Sequence, residues 1–561
     1  MTHSSRAAQA QTLGELFASR VAATPSARAY TGYTQGGWRS YTWAEARLWV
    51  ERIRAGLLLS GLKPGDRVGI CAYNAPEWVF CDLAALSLGL IVVPLFFNDR
   101  TENTSYCLKD AGVRLLFVDR APPLEVAAQV PLGVISLKEV RGVVSFEHWL
   151  PARGEPLSKG LGLRSDLATI VYTSGTTGRP KGVMLSHGNI LSNIEDLLEA
   201  LPEVAAGRHR FLSFLPLSHM LERTVGQFVA IAIGAETVFS RGITELSADL
   251  RIAKPTILVS VPRIFERSYA RMQDDLQKSP RLARWVACAA RYGFRVHQKE
   301  AGWGARVGAR LLDVFIGRTV RRRMGGRLRY VFLGGARATP DLLAFFSGMG
   351  LHFLQGYGLT ETAPVISCNA LSDRDLASVG HPLASLKLRF VNGEICVKGP
   401  SVMQGYWRQP EATAETLDEE GFFHTGDLGR LEAGLLYLTG RAKDIIVLSN
   451  GEKVSPADVE QAILQDSLFE QVLVVGEGRS GLGLLVVSDM ADEDVLRERA
   501  NAELRAFPGY TRIQRVLRVA GPWTTENGYL TPTLKVRRQW IEAQYAAAID
   551  ALYRGDSGAA T

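Results

Sequence analysis

Residues 172–187 read Tyr-Thr-Ser-Gly-Thr-Thr-Gly-Arg-Pro-Lys-Gly-Val-Met-Leu-Ser-His. Gly175, Gly178 and Gly182 let backbone N–H groups come close to an anion. The hydroxyls of Thr173, Ser174, Thr176 and Thr177 add donors, and Lys181 adds a mobile positive charge. Such a set grips polyphosphate. It is not a Walker loop, which needs Gly-Lys-Ser/Thr after four variable residues; at that distance from Gly175 stand Pro180, Lys181 and Gly182. The β-branched run 167–172 reads as a buried strand, and 187–200 carries apolar residues at helical spacing. The loop is therefore expected to join a strand to a helix, whose N-terminal dipole would also face the anion.

Further reactive residues follow downstream. A strand over 328–333 runs into Gly334, Gly335 and Ala336, a tight turn at a strand's C-terminal end where a flat ligand can approach closely. The segment Gln355-Gly-Tyr-Gly-Leu-Thr-Glu-Thr362 offers the aromatic face of Tyr357, the hydroxyl of Thr360 and, in Glu361, a hard oxygen ligand for a divalent cation. Asp427 follows Thr-Gly, and a fixed carboxylate there can accept from both hydroxyls of a diol. His219 closes a strand and Pro-turn, 211–219; a structural histidine and a ligand-facing one both fit that position. Lys535 follows Asn527-Gly-Tyr-Leu-Thr-Pro, a rigid loop able to project it.

In this order the segments resemble those of the adenylate-forming (AMP-binding) superfamily: acyl-CoA synthetases, luciferases and peptide-synthetase adenylation domains. The resemblance runs from the entry helix to Lys535. The long helical segment and the Leu-Thr-Pro-Thr-Leu-Lys ending are most similar to the long-chain fatty acyl-CoA synthetase branch. It implies ATP, Mg²⁺ and CoA as cofactors and co-substrates. A fatty acid carboxylate would attack the α-phosphorus, release pyrophosphate and give acyl-AMP, which then passes to the CoA thiol. By resemblance, Lys535, Glu361, Lys181 and His219 are catalytic, and Thr176 and Glu361 hold the metal. Thr173, Ser174, Gly175, Thr176, Thr177 and Gly178 hold phosphate. Gly334, Gly335, Ala336, Gly356, Tyr357, Gly358, Thr360, Asp427 and Arg441 hold the rest of the nucleotide. Lys443, in the basic segment 440–444, would be the hinge between two lobes, and the strand within 254–262 either lines the acyl site or is simply core. Two departures stand out. A tryptophan gate shortly after the histidine is replaced by Met220-Leu-Glu-Arg-Thr, and no long insertion separates Glu361 from Thr425, which favours CoA transfer over a stop at the adenylate. Acyl carrier protein as acceptor, or a catalytically silent lipid-binding homologue, remain as alternatives.

These residues need a scaffold larger than one core, and 561 residues exceed the size of a single hydrophobic core. Strands alternating with helices predict an α/β fold with largely parallel sheets. The expected organisation is an N-terminal domain over 1–440, with a helical insertion at 264–324 and an antiparallel subdomain opened by the Asn392-Gly393 hairpin. A hinge at 441–445 and a small α+β C-terminal lid at 446–561 complete it. The run 79–97 is nearly long enough to span a bilayer, but Gly89 and Pro94 divide it into a buried helix and strand. Six scattered cysteines without a CxxC pair or metal-like clustering read as reduced thiols, and the polar residues 1–11 show no secretory signal, so a cytoplasmic protein is expected. A net charge of +7 does not by itself argue for nucleic acid. From 281 to 329, however, twelve Arg and one Lys stand against Glu300 and Asp313, interleaved with aromatics. Such a face either lies on anionic lipid at the inner face of the membrane, would suit an acidic carrier protein, or is simply solvated.

Overall fold

The computed structural model describes residues 7–157, 162–173, 179–298, 300, 302–373, 375–466, 468–519, 521–524, 527–531 and 536–554. Two large sheets organise it. In the first, the strands Val113–Val118, Arg67–Cys71, Ile91–Pro94 and Leu167–Thr173 run parallel, then Lys181–Ser186 and Gly405–Tyr406 add antiparallel. In the second, Glu236–Phe239, Arg210–Ser213, Ile257–Ser260, Tyr330–Leu333 and His352–Gly358 run parallel, and Val365–Cys368 turns back antiparallel. Parallel strands are covered on both faces, which is why these read as continuous apolar runs rather than alternating ones.

The helix His187–Ala200 is begun by a reciprocal cap. Ser186 Oγ accepts from Asn189 N at 3.1 Å, and Asn189 Oδ1 accepts from Ser186 N at 2.8 Å. Its Ile190, Leu191, Ile194 and Leu197 belong to one apolar cluster with Val171 of the first sheet and Ile257 of the second, so this core ties the two sheets together. A buried ion pair lies in the same core. Arg223, on the π-helical turn Glu222–Phe228, binds Asp82 of the helix Pro76–Ser87 and donates to Thr169 Oγ1 at 2.8 Å; both charged side chains are fully buried. Gln227 donates to Asp82 Oδ2 at 3.1 Å, and Thr169 donates to the Val92 carbonyl at 2.6 Å.

One expectation is corrected. The phosphate loop does not lead from strand to helix: residues 181–186 form a strand, with Tyr172 opposite Gly182 and Thr173 opposite Lys181. The two strands form a hairpin, and the helix starts at its cap Ser186, the end of the return strand farthest from Thr173 and Lys181, so its dipole does not face the expected phosphate loop.

The run 79–97 is a helix followed by a strand, as read. An antiparallel sheet of Lys387–Val391, Glu394–Lys398, Phe423–Glu432 and Leu435–Arg441 follows, opened by Asn392 and Gly393 at φ 51° and 84°. Both turn residues adopt the left-handed conformation a two-residue hairpin requires. Beyond it, Gln471–Val475, Leu482–Val487 and Ile513–Arg518 form a three-stranded sheet. The helices Pro456–Ile463 and Glu493–Glu503 pack on it around a core of their own that includes Val459, Ile463, Val474, Leu484 and Leu496. Residues 262–323 are mostly helical: Pro262–Gln277, Pro280–His297, Trp303–Leu312 and Arg318–Arg323. Among the described residues no helix is long and apolar enough to cross a membrane.

Candidate active site

At the closed end of the hairpin the pairing sets Thr173 beside Lys181. Ser174, Gly175, Thr176, Thr177 and Gly178 lie outside the described residues. Tyr406 pairs with Val183 across the next strand, and its ring lies 4.9 Å from the Lys181 ammonium. The Tyr406 hydroxyl donates to Glu361 Oε1 at 2.9 Å. Glu361 sits in the tight turn Thr360–Thr362, and its carbonyl accepts from Met403 N at 2.8 Å. Burial pushes its carboxyl above the usual carboxylate range, against the pull of the Tyr406 hydroxyl and of Arg441. Lys181, Tyr406 and Glu361 are thus one polar relay.

A second relay begins four residues before Glu361. The Tyr357 hydroxyl donates to Asp427 Oδ2 at 2.8 Å, and Arg441 Nε donates to Asp427 Oδ1 at 2.8 Å. Asp427 and Arg441 face each other across paired strands, so the sheet register itself makes that contact. Burial, then the Asp427 carboxylate, holds the Tyr357 phenol protonated far above its ordinary range. A carboxylate offers about four acceptor sites, so Asp427 retains capacity for ligand hydroxyls. Gly356 and Gly358 end the same strand; a side chain at Gly358 would fall on the Pro364 carbonyl, which makes that position glycine-only.

The adenine-shelf candidates follow the neighbouring strand. Gly334 N donates to the Ser260 carbonyl at 3.2 Å, Gly335 has φ 82°, and Ala336 is exposed. Leu221 packs on Gly334, and Val261 lies next to Gly335. The 254–262 strand and the turn carrying half-buried His219 therefore border this shelf. His219 Nδ1 accepts from Leu221 N at 3.2 Å, which shapes that turn. His187, by contrast, is buried and accepts from Leu13 N at 3.2 Å, a structural role. One residue past the shelf, Arg337 pairs with Asp458 at 3.0 Å, and its carbonyl accepts from Gln461 at 2.8 Å.

Lys535 and residues 532–534 lie outside the described residues, but the chain on either side is placed. Gly528 abuts the Arg100 guanidinium, the Trp540 ring lies 5.6 Å from it, and Arg537 feels the charges of Asp99 and Arg100. Arg100 precedes the helix Thr101–Ala111, whose Asp110 accepts from the Tyr172 hydroxyl at 2.6 Å and, through its carbonyl, from Trp407 Nε1 at 3.0 Å. The C-terminal segment is thus docked on the element that braces the phosphate hairpin. Thr360 stands beside Glu361 on the same turn, and Lys443 follows Arg441 by two residues. Tyr406, Trp407 and Asp110 were not found by sequence reasoning. The available signal was the aromatic pair after Gly405.

The model of the family described as AMP-binding enzyme matches residues 17–407, and that of the AMP-binding enzyme C-terminal domain matches 443–557. The chain belongs to the AMP-binding enzyme family. It is 32% identical over 570 residues to the long-chain-fatty-acid–CoA ligase FadD15 of Mycobacterium bovis, covering 93% of this chain and 94% of that one. To the Arabidopsis thaliana chloroplastic long-chain-fatty-acid–[acyl-carrier-protein] ligase AEE15 it is 29% identical over 591 residues, covering 89% and 80%. Among solved structures, the A-PCP didomain of carboxylic acid reductase from Segniliparus rugosus, in complex with AMP, superposes with a TM-score of 0.79 at 22% identity, over 99% of this chain and 84% of that one. That last likeness speaks for the fold, which is the family's mixed α/β arrangement with a large N-terminal and a smaller C-terminal domain.

Proposed function

We infer that this member of the family activates a long-chain fatty acid with ATP, releasing pyrophosphate, and transfers the acyl group from acyl-AMP to CoA. The observation that carries the reading is the convergence of two polar relays on 357–361, Lys181–Tyr406–Glu361 and Tyr357–Asp427–Arg441. A nucleotide laid along this segment meets carboxylate and guanidinium at its ribose end and ammonium and carboxylate at its phosphate end.

The first barrier is charge, because an anionic carboxylate attacks an anionic phosphate. Lys181, the 174–178 loop and Lys535 are assigned to neutralise what develops there. Glu361, with Thr176, is assigned to hold magnesium: its hard oxygens suit that ion, and burial leaves its ionised form short of the positive charge a divalent cation adds. When bound, magnesium screens the triphosphate and polarises its oxygens. Asp427, with Arg441 beside it, takes the ribose hydroxyls, and Gly334, Gly335 and Ala336 with Gly356, Tyr357 and Gly358 bracket the base. Thr360 donates to phosphate, and His219 orients the acyl carboxylate at the edge of the shelf. In the second half-reaction the CoA thiolate attacks the acyl carbonyl and AMP leaves. We assign 441–445 as a hinge between 1–440 and 446–561, with Lys443 as pivot, so that Lys535 withdraws from the path of the thiol.

A cytoplasmic location is proposed, with the inner face of the membrane as a further partner. Trp303, Phe315 and Trp285 are 84%, 74% and 59% exposed on a helical region carrying many arginines, a composition suited to anionic lipid. The same basic face, together with the carrier-protein ligase among the relatives, supports acyl carrier protein as a second acceptor.

Pyrophosphate release across carboxylic acids from acetate to oleate, each with CoA, with acyl carrier protein or with neither, tests all of this. Release with long-chain acids and thioester with CoA are expected; no release with any acid removes the proposal.

A further inference from the structure

On the antiparallel sheet, Glu394 and Cys396 are two residues apart on one strand and so point to the same face, and His424 is the direct cross-strand partner of Cys396. His424 Nδ1 lies 3.5 Å from Cys396 Sγ and 3.1 Å from Glu394 Oε2, and the three ligand atoms all lie within 4.8 Å of one another. Tetrahedral zinc, with bonds of about 2.3 Å to sulfur and about 2.0–2.2 Å to nitrogen and oxygen, would hold neighbouring ligand atoms roughly 3.4–3.6 Å apart. The two separations from His424 Nδ1 are already close to those of a filled site.

We propose that Glu394, Cys396 and His424 bind a divalent ion of the zinc class on the sheet behind the Asp427 turn. Sulfur, imidazole and carboxylate together favour zinc over magnesium, whose sites are built from oxygen alone. Three protein ligands leave a fourth position for water, and the partial exposure of His424 and Glu394 gives the ion a way in. A second shell is present. If Nδ1 holds the metal, the ring proton sits on Nε2, which faces Asp418 Oδ2 at 3.6 Å; Asp418 is itself held by Arg389 and by Phe422 N at 2.8 Å. The remaining oxygen of Glu394 accepts from Gly426 N at 2.8 Å, so the site is joined by one bond to the turn before Asp427. This is distinct from the magnesium assigned to Glu361 and does not depend on it. Binding converts the Cys396 thiol to a metal-bound thiolate and releases one proton per ion.

The test uses the full-length chain, stripped with a chelator, dialysed and titrated with Zn²⁺ and separately with Co²⁺. One equivalent of tightly held zinc, about one proton released, and a thiolate-to-cobalt charge-transfer band are expected. Cys396→Ser should abolish the band, His424→Gln should weaken zinc binding at least tenfold, and Asp418→Asn should weaken it by about tenfold, the usual cost of losing an outer-shell partner. The proposal fails if the wild-type protein shows no thiolate–cobalt band, or if the band survives in Cys396→Ser. The wild-type spectrum decides the matter even if a variant does not fold.

Discussion

Glu361 and Glu222 are both buried acids, and they make opposite predictions. Glu361 faces the Lys181–Tyr406 relay, so its negative charge is needed at the site. Glu361→Gln should cost adenylation about 10²- to 10³-fold, the usual loss for one preorganised charge partner, read as single-turnover pyrophosphate release with folding checked by circular dichroism. Glu222 lies one turn beyond His219, fully buried against Ser213, with Oε2 unpartnered; burial pushes its carboxyl up to about 8. In the unfolded chain it ionises near 4.5, whereas the folded protein keeps the proton until about pH 8. The folded state therefore binds more protons across that window, and stability should fall as pH rises through it, by at most about 1.4 kcal/mol per pH unit. Glu222→Gln should flatten that decline, measured as the urea midpoint against pH; an unchanged slope would refute the assignment. Lys181, Glu361 and Asp427 were readable because their neighbours in the chain mark them. Tyr406 was not, because its place beside Lys181 is made by strand pairing across more than two hundred residues. Cys396 looked isolated for the same reason, since only the pairing of its strand with the one carrying His424 gathers the cluster.

Local chemistry explains which elements were legible. The Asn392-Gly393 turn announces its own hairpin, and the helix from 187 is signalled by its apolar spacing. The return strand of the phosphate hairpin was missed because its alternation is brief. Val183 and Leu185 are buried, but Gly182 and Met184 between them give little polar contrast. The π-helical turn Glu222–Phe228 depends on Arg223 reaching Asp82, so Asp82→Asn should strand a buried guanidinium. A loss of about 3–5 kcal/mol is expected, seen as a clear fall in the thermal midpoint. A surface pair such as Arg430–Glu432 would cost less than about 1 kcal/mol if broken. For the basic helices, a double change of Trp303 and Phe315 to Ser should reduce co-sedimentation with anionic vesicles severalfold. Binding by the unaltered protein should weaken as salt rises; equal binding by both proteins at every salt concentration would leave the face merely solvated.

At the scale of the molecule, the proposed mechanism asks one C-terminal module to occupy two places in the two half-reactions. Lys443→Pro stiffens the segment proposed to turn. It should slow thioester formation at least tenfold more than pyrophosphate release when each half-reaction is followed in a single turnover. Equal loss in both would argue against the pivot. The overall α/β plan and the succession of segments were legible from 561 residues. The way the C-terminal module sits against the rest of the chain was not, because its contacts are a few isolated residues, Asp458 and Gln461 on Arg337 and Gly528 and Trp540 on Arg100, that no local pattern announces.

The hydrogen bond from Gln461 to the Arg337 carbonyl has a consequence for turnover. It props the outer rim of the Gly334–Ala336 turn from the far side of the proposed hinge, while Gly528 and Trp540 lean on Arg100. A module that swings away removes the prop and the lean together. On the proposed swing, AMP left on that rim after thioester formation would have lost its buttress, so the motion that admits the thiol would also hasten the nucleotide's exit.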